Sequence, residues 1–228
     1  MTGLGVPVTP YYDGGDVVLH HGDCRELADV WTSADVLLCD PPYGIDYRSG
    51  WHSDSLPRSI GGDRDTAVRD AVLNLWGNRP ALVFGTWRIP RPAGTQARLV
   101  WDTLGALGMG DLSIPWKPSD QEVYVLGHGD AGRFAGPRTS NVLRFPPVQS
   151  MARNGRLHPH EKPVELLSAL IAKCPSGALA DPCAGSGSLG VAARLHGRRA
   201  VLVEADERYC EIAARRLDQG VLDFGAAS

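Results

Sequence analysis

The feature that most restricts the fold of this chain lies near its end. Residues 178–180 form a short apolar run, and Asp181-Pro182-Cys183-Ala184-Gly185-Ser186-Gly187-Ser188-Leu189-Gly190 follows as a glycine-bearing turn. A helical pattern over 188–195, a second apolar run at 200–204 and a helical pattern over 207–217 complete the unit. A strand that turns tightly into a helix and returns as another apolar strand is the repeating unit of a parallel sheet covered by helices. Upstream, residues 17–20, 36–39 and 81–84 read as strands, and 25–31 and 67–76 as helices. Pro163 suits the first position of a helix whose apolar face carries Leu166, Leu167, Leu170 and Ile171. The expected fold is α/β, one Rossmann-like domain spanning residues 1–228.

The middle of the chain is less regular. Residues 96–107 read as a helix, and 112–116 with 122–126 as an antiparallel edge pair. Residues 46–66 are polar, with Gly50, Pro57, Gly61 and Gly62, and read as a long loop of the kind that often carries function. Residues 127–157 are rich in Gly, Arg, Pro and Ser and show few periodic signals.

Bulk properties exclude several classes. No apolar run is long enough to span a bilayer, and Met1 to Tyr12 lacks the charged start and apolar stretch of a signal peptide, so a cytoplasmic protein is expected. Five cysteines (Cys24, Cys39, Cys174, Cys183, Cys210), with no CxxC pair, argue against a disulfide framework and a structural metal site. With a net charge of −3, any nucleic-acid contact must come from a local patch. Arg133, Arg138, Arg144, Arg153, Arg156 and Lys162, with His158 and His160 nearby and Glu161 as the single acid, form the one candidate; a solvated arginine-rich loop is the alternative.

In the 181–190 turn the glycines allow a close backbone approach to a ligand. Glu204 ends the next strand, where a carboxylate can bind the ribose hydroxyls of an adenosine-bearing cofactor. Gly185–Gly190 also satisfies GxGxxG, so a dinucleotide site and a purely structural turn remain open. Against the dinucleotide, the turn lies too near the C-terminus for the second half of such a fold. In favour of S-adenosylmethionine, whose amino group is cationic, stands the carboxylate of Asp181 just before the turn.

Asp40-Pro41-Pro42-Tyr43-Gly44 follows the apolar run 36–39, at a strand's carboxyl end, where open α/β sheets place their chemistry. An aromatic amino nitrogen is a weak nucleophile because its lone pair is delocalised into the ring. A carboxylate (Asp40) and a backbone carbonyl (Pro41) accepting its two N–H groups would offset the positive charge that develops on alkylation. Prolines 41 and 42 hold the segment extended, and Tyr43 offers a ring for stacking. A plain proline turn is the alternative reading. Asp23 ends the preceding strand, placed either to accept from an adenine amino group of the cofactor or to cap a following helix; the two are compatible.

These residues resemble the amino-directed DNA methyltransferases (adenine N6 or cytosine N4) whose catalytic motif precedes the cofactor motif, a circularly permuted order. The resemblance rests on two blocks: HHGDCRELADVWTSADVLLCDPPYGIDY at 20–47, and within 157–217 HPHEKPVELL, DPCAGSGSLGVAA and VLVEADERYCEIAARRL. It implies a catalytic motif at Asp40, Pro41, Pro42 and Tyr43. It also implies a methyl-donor loop at Asp181, Pro182, Ala184, Gly185, Ser186 and Gly187, a ribose ligand at Glu204 and a further cofactor-side motif at Lys162 and Pro163. Cys183 departs from the family's usual phenylalanine and His160 from its threonine. Target recognition is expected between the blocks, with 127–157 as a short DNA-contact segment.

The resemblance implies transfer from S-adenosylmethionine to adenine N6, since aspartate at position 40 favours adenine and serine favours cytosine N4. Cytosine N4 stays open, as do an RNA or protein-amide target and an inactive binding homologue. A cytosine-C5 enzyme is excluded because its nucleophilic cysteine would have to be Cys183, inside the donor loop and away from Asp40. The target base must leave the duplex stack, with the 46–66 loop, including Trp51, closing over DNA. The short chain leaves room for a homodimer and for a cognate restriction endonuclease as a partner.

Overall fold

The computed structural model describes residues 8–43, 65–105, 110–148 and 161–224. The strands are β1 (Tyr12–Asp13), β2 (Val17–His21), β3 (Val36–Cys39), β4 (Ala81–Gly85), β5 (Ala97–Asp102), β6 (Asp120–Leu126), β7 (Val142–Arg144), β8 (Leu179–Asp181) and β9 (Ala200–Glu204). The helices are α1 (Ala28–Trp31), α2 (Ala67–Trp76), α3 (Val164–Ile171), α4 (Ser188–Leu195) and α5 (Glu207–Phe224). The strands form one sheet in the order β1-β2-β9-β8-β3-β4-β6-β5-β7. The five strands from β2 to β4 in that order run parallel, while β6 runs antiparallel to both β4 and β5.

Strands buried on both faces read as unbroken apolar runs. Every residue of β3 (Val-Leu-Leu-Cys) and β4 (Ala-Leu-Val-Phe-Gly) is buried. Their side chains alternate between two cores. Val36, Leu38, Leu82 and Phe84 face Leu166, Leu170, Leu189, Ala213 and Leu217 of α3, α4 and α5. Leu37, Cys39, Ala81 and Val83 face Trp31, Val72 and Trp76 of α1 and α2. In the second core Trp31 stacks on Trp76 with centroids 6.1 Å apart and planes 13° apart, and the Arg79 guanidinium lies 3.6 Å from the centroid of Trp76. Replacing Trp76 by alanine is expected to cost about 3–5 kcal/mol of stability, seen as a lower denaturant midpoint with an unchanged slope.

Two expectations for the middle of the chain are corrected. Residues 96–107 are not a helix: 97–102 form β5, paired with β6 from Ala97↔Val125 to Asp102↔Asp120 and with β7 from Val100↔Val142. Ladder bonds on both sides outweigh the modest helical propensity of Ala97, Arg98 and Leu99. Residues 112–116 are not the partner of 122–126: they form a turn with no strand, exposing Leu112, Ile114 and Trp116. Pro115 and Pro118 remove two of the N–H donors a strand there would need. The first helix is also shorter than 25–31, with turns before Ala28.

Among the described residues no helix is long and apolar enough to cross a membrane.

Candidate active site

The sheet order brings the two ends of the sequence together. Strand β8, from the last quarter of the chain, pairs with β3 through Val36↔Leu179 and Leu37↔Ala180. Asp40, one residue past β3, and Asp181, the last residue of β8, therefore stand side by side at the carboxyl edge of the sheet. The C-terminal unit has been inserted between β2 and β3, so permuted motif order in sequence becomes adjacency in space.

Asp40 is held from both sides. The Tyr43 hydroxyl donates to its Oδ1 at 2.5 Å, and Lys162 Nζ, from the segment before α3, donates to its Oδ2 at 2.5 Å. Lys162 also donates to the Tyr43 hydroxyl at 3.2 Å and lies 4.8 Å from the centroid of Phe84 on β4. Gln121 of β6 reaches the same hydroxyl at 3.4 Å. Lys162 is 5% exposed, so this ion pair is largely out of water. Tyr43 is buried and engaged with Asp40 through its hydroxyl.

The 181–190 turn is built around two carboxylates, buried Asp181 and half-buried Glu204. Asp181 accepts the N–H of Cys183 at 3.0 Å. Burial is the main cause that pushes its carboxyl up to about 8; Asp40 and Glu204 nearby add to this, and the Cys183 N–H opposes it. Glu204, at the end of β9, accepts the N–H of Gly185 at 2.7 Å and that of Asp206 at 2.9 Å. Burial raises its carboxyl as well, against those backbone donors. Gly187 caps α4 with φ +76°, and a Cβ there would come 2.9 Å from Ala213 Cβ, so α5 packs directly on the turn. Asp23 accepts from the Arg25 N–H at 2.9 Å and pairs with its guanidinium, which lowers the Asp23 carboxyl. The side chain of Cys183 packs against the core that contains Cys24 and Cys39.

One organising residue was missed from sequence. Arg216 of α5 donates to Ser186 Oγ at 3.2 Å and Ser188 Oγ at 3.0 Å, and ion-pairs with Glu161 at 2.7 Å. It ties the turn to the segment that presents Lys162. No local signal marks it, because it looks like any charged residue of an amphipathic helix.

Among the described residues, the arginines of the expected basic segment lie at two edges of the sheet. Arg133 follows β6, whose end Leu126 pairs with the first residue of β4. Around it, Ala135 N–H donates to Lys173 O at 2.9 Å and Gly132 lies against Pro80 and Pro175. Arg133 and Arg138 thus lie toward the edge opposite Asp40, where Lys173 Nζ donates to Pro137 O at 2.6 Å. Arg144 ends β7, level with Asp102 of β5, at the carboxyl edge. Arg153, Arg156, His158, His160, Trp51 and most of the 46–66 loop lie outside the described residues.

A carboxylate held by a buried lysine and a tyrosine, set beside a turn with two further carboxylates, can accept N–H groups on one side and bind a cationic, hydroxyl-bearing molecule on the other. A family model described as DNA methylase matches residues 91–215. YubD of Escherichia coli (strain K12) is 31% identical over 219 residues, covering 91% of this chain and 93% of its own length. Among solved structures, the PvuII DNA methyltransferase (cytosine-N4-specific) aligns over 96% of this chain and 95% of its own with a TM-score of 0.67 and 13% identity. An M1.HpyAVI–SAM complex aligns over 89% and 99% with a TM-score of 0.66 and 15% identity.

Proposed function

The chain belongs to the DNA methylase family of N6- and N4-directed enzymes, and from that premise we propose that it methylates adenine N6 in DNA, with Asp40 and the Pro41 carbonyl as acceptors for the target amino group. The methyl donor of this family is S-adenosylmethionine, which supplies an electrophilic methyl group on a sulfonium. The observation that carries the residue assignment is the side-by-side placement of Asp40 and Asp181 on neighbouring strands.

The residues present fit the donor. Asp181 is a buried carboxylate with a raised proton affinity and suits the donor's cationic amino group. Glu204, accepting backbone N–H groups through both oxygens, retains acceptor capacity for ribose hydroxyls. The turn at Pro182, Ala184, Gly185, Ser186 and Gly187 has no bulky side chain between these carboxylates, and Asp23 lies one strand beyond Glu204.

At the other side, each carboxylate oxygen has two acceptor sites, so Asp40 accepts from the target while Tyr43 and Lys162 hold it. Asp40 and Pro41 draw the nitrogen lone pair out of the ring and offset the charge that grows on nitrogen as the N–C bond forms. S-adenosylmethionine, when bound, would supply the methyl group and keep the electron pair of the broken bond on sulfur, and Asp40 or solvent would take the proton lost from nitrogen. Pro42 keeps the segment extended. The aspartate at position 40 favours adenine over cytosine N4.

Lys162 acts here on Asp40 as well as standing in the cofactor-side motif. Lys162→Met is expected to lower the maximal methylation rate by about a hundredfold while donor affinity changes little, as measured by steady-state kinetics and calorimetry. An equal loss in donor affinity would return Lys162 to the donor side alone.

The reading as a whole is tested by nucleoside mass spectrometry on unmethylated DNA incubated with the protein and S-adenosylmethionine. N6-methyldeoxyadenosine is expected. N4-methyldeoxycytidine would keep the family and overturn the choice of base; absence of both would overturn the DNA methylation reading.

A further inference from the structure

The carboxyl edge of the sheet presents a second set of residues that neither the motifs nor the mechanism uses. β4 ends beside Asp40, since Cys39 pairs with Val83, and the chain leaves it through Thr86-Trp87-Arg88-Ile89-Pro90-Arg91. Trp87 is 72% exposed, and the Arg88 guanidinium lies over it, 5.9 Å from the ring centroid. Arg91 is exposed and reaches Glu122 only at 3.8 Å. The connection from β5 to β6 crosses the same edge, because β6 starts there and its Gln121 touches Tyr43. It exposes Trp116 at 77%. Arg144, at the end of β7, lies on this edge too.

Two tryptophans in solvent cost hydration free energy with no return in the fold, whereas Trp31, Trp76 and Trp101 are packed. Their setting identifies the occupant. They lie on the edge that carries Asp40, Trp87 stands among arginines, and a target base must come out of a duplex to reach Asp40. Ring faces next to guanidinium groups match nucleobases next to phosphates.

We infer that the DNA footprint of this protein is the carboxyl edge beside β4, with Trp87 stacking on bases exposed by extrusion of the target and Arg88, Arg91 and Arg144 holding flanking phosphates, and Trp116 extending the contact. Arg133 and Arg138 lie outside it. The inference rests on the DNA methyltransferase reading and adds where the duplex sits.

The test is equilibrium binding of the full chain, with S-adenosylhomocysteine present, to a fluorescent duplex over a range of salt. Methylation of unmethylated genomic DNA is measured in parallel. Trp87→Ala is expected to weaken duplex binding about tenfold, and Trp87→Phe to restore most of it. The double variant Arg88→Ala/Arg91→Ala is expected to reduce the slope of log affinity against log salt by about two. Arg133→Ala/Arg138→Ala is expected to change neither quantity. Unchanged donor affinity in each variant verifies the fold, because none of these side chains belongs to the 181–190 turn. Wild-type binding by Trp87→Ala and by Arg88→Ala/Arg91→Ala, or an equal loss in Arg133→Ala/Arg138→Ala, would overturn the footprint. If the wild type binds duplex through these residues but methylates no DNA, the footprint stands and the catalytic reading falls; if it methylates while the Trp87 and Arg88/Arg91 variants bind normally, the reverse holds.

Discussion

Replacing Asp40 by alanine is expected to reduce methyl transfer by about a hundred- to a thousandfold while the protein still binds S-adenosylmethionine. The reaction needs acceptors aimed at an amino nitrogen that gains positive charge only as the methyl arrives. A carboxylate fixed by the Tyr43 hydroxyl and the Lys162 ammonium provides one without reorganising. In the proposed site the donor is held by Asp181 and Glu204, one strand or more away, and Asp40 raises the proton affinity of Asp181 rather than assisting it to ionise. Its removal therefore does not weaken the donor site electrostatically. Alanine also leaves a buried ammonium without its carboxylate, which costs stability. Asp40→Asn separates the two effects, because the amide keeps the volume but turns an N–H donor toward either Lys162 or the target. Turnover and donor binding measured on both variants decide the matter, and near-normal turnover in Asp40→Asn would remove Asp40 from catalysis.

The second large effect is a pH dependence of donor affinity. In the free protein the Asp181 carboxyl sits at about 8, chiefly through burial, so below that pH it is mostly protonated. A cationic amino group favours the carboxylate, so the bound state holds fewer protons than the free one. Binding then releases a proton, and affinity falls as pH drops below about 8, approaching tenfold per unit until the bound-state value is reached. The sign follows from the direction of the shift: a carboxyl raised in the free state must give up its proton to solvent before it can pair with a cation. Calorimetry in buffers of different ionisation enthalpy counts that proton directly. Asp181→Asn is expected to abolish the proton release and to bind the donor weakly at every pH. Affinity independent of pH between about 6 and 8 in the wild type would mean that Asp181 does not release a proton when the donor binds.

Much of the fold was legible because burial leaves a local trace. The all-apolar runs of β3 and β4 and the amphipathic pattern of α3 depend on which residues meet water, and that is written within a few consecutive positions. Residues 97–102 were misread for the complementary reason. This strand is partly exposed toward one end of the sheet, its residues tolerate a helix, and pairing with β6 and β7 settles the matter. The turn at 112–116 carries apolar residues that mimic a strand, yet they lie in solvent on the carboxyl edge. Apolar character there marks a surface rather than a core.

From the sequence alone came the α/β class, the Asp40-Pro41-Pro42-Tyr43 segment at a strand end, and the glycine-bearing turn from Asp181 to Gly190 with Glu204 beyond it, each set by residues close together in the chain. Tertiary structure alone decided that β8 and β9 enter the sheet between β2 and β3, which places Asp181 beside Asp40. It also decided that Lys162 pairs with Asp40 across 122 positions of sequence and that Arg216 joins the turn to Glu161. Arg133 and Arg138 were likewise separated from Arg144, at opposite edges, by the reversal of direction at β6. The physical reason is the same throughout: a residue pattern reports how much of a segment is buried, while its neighbours depend on strand order and direction, which only the sum of pairings across the whole sheet selects.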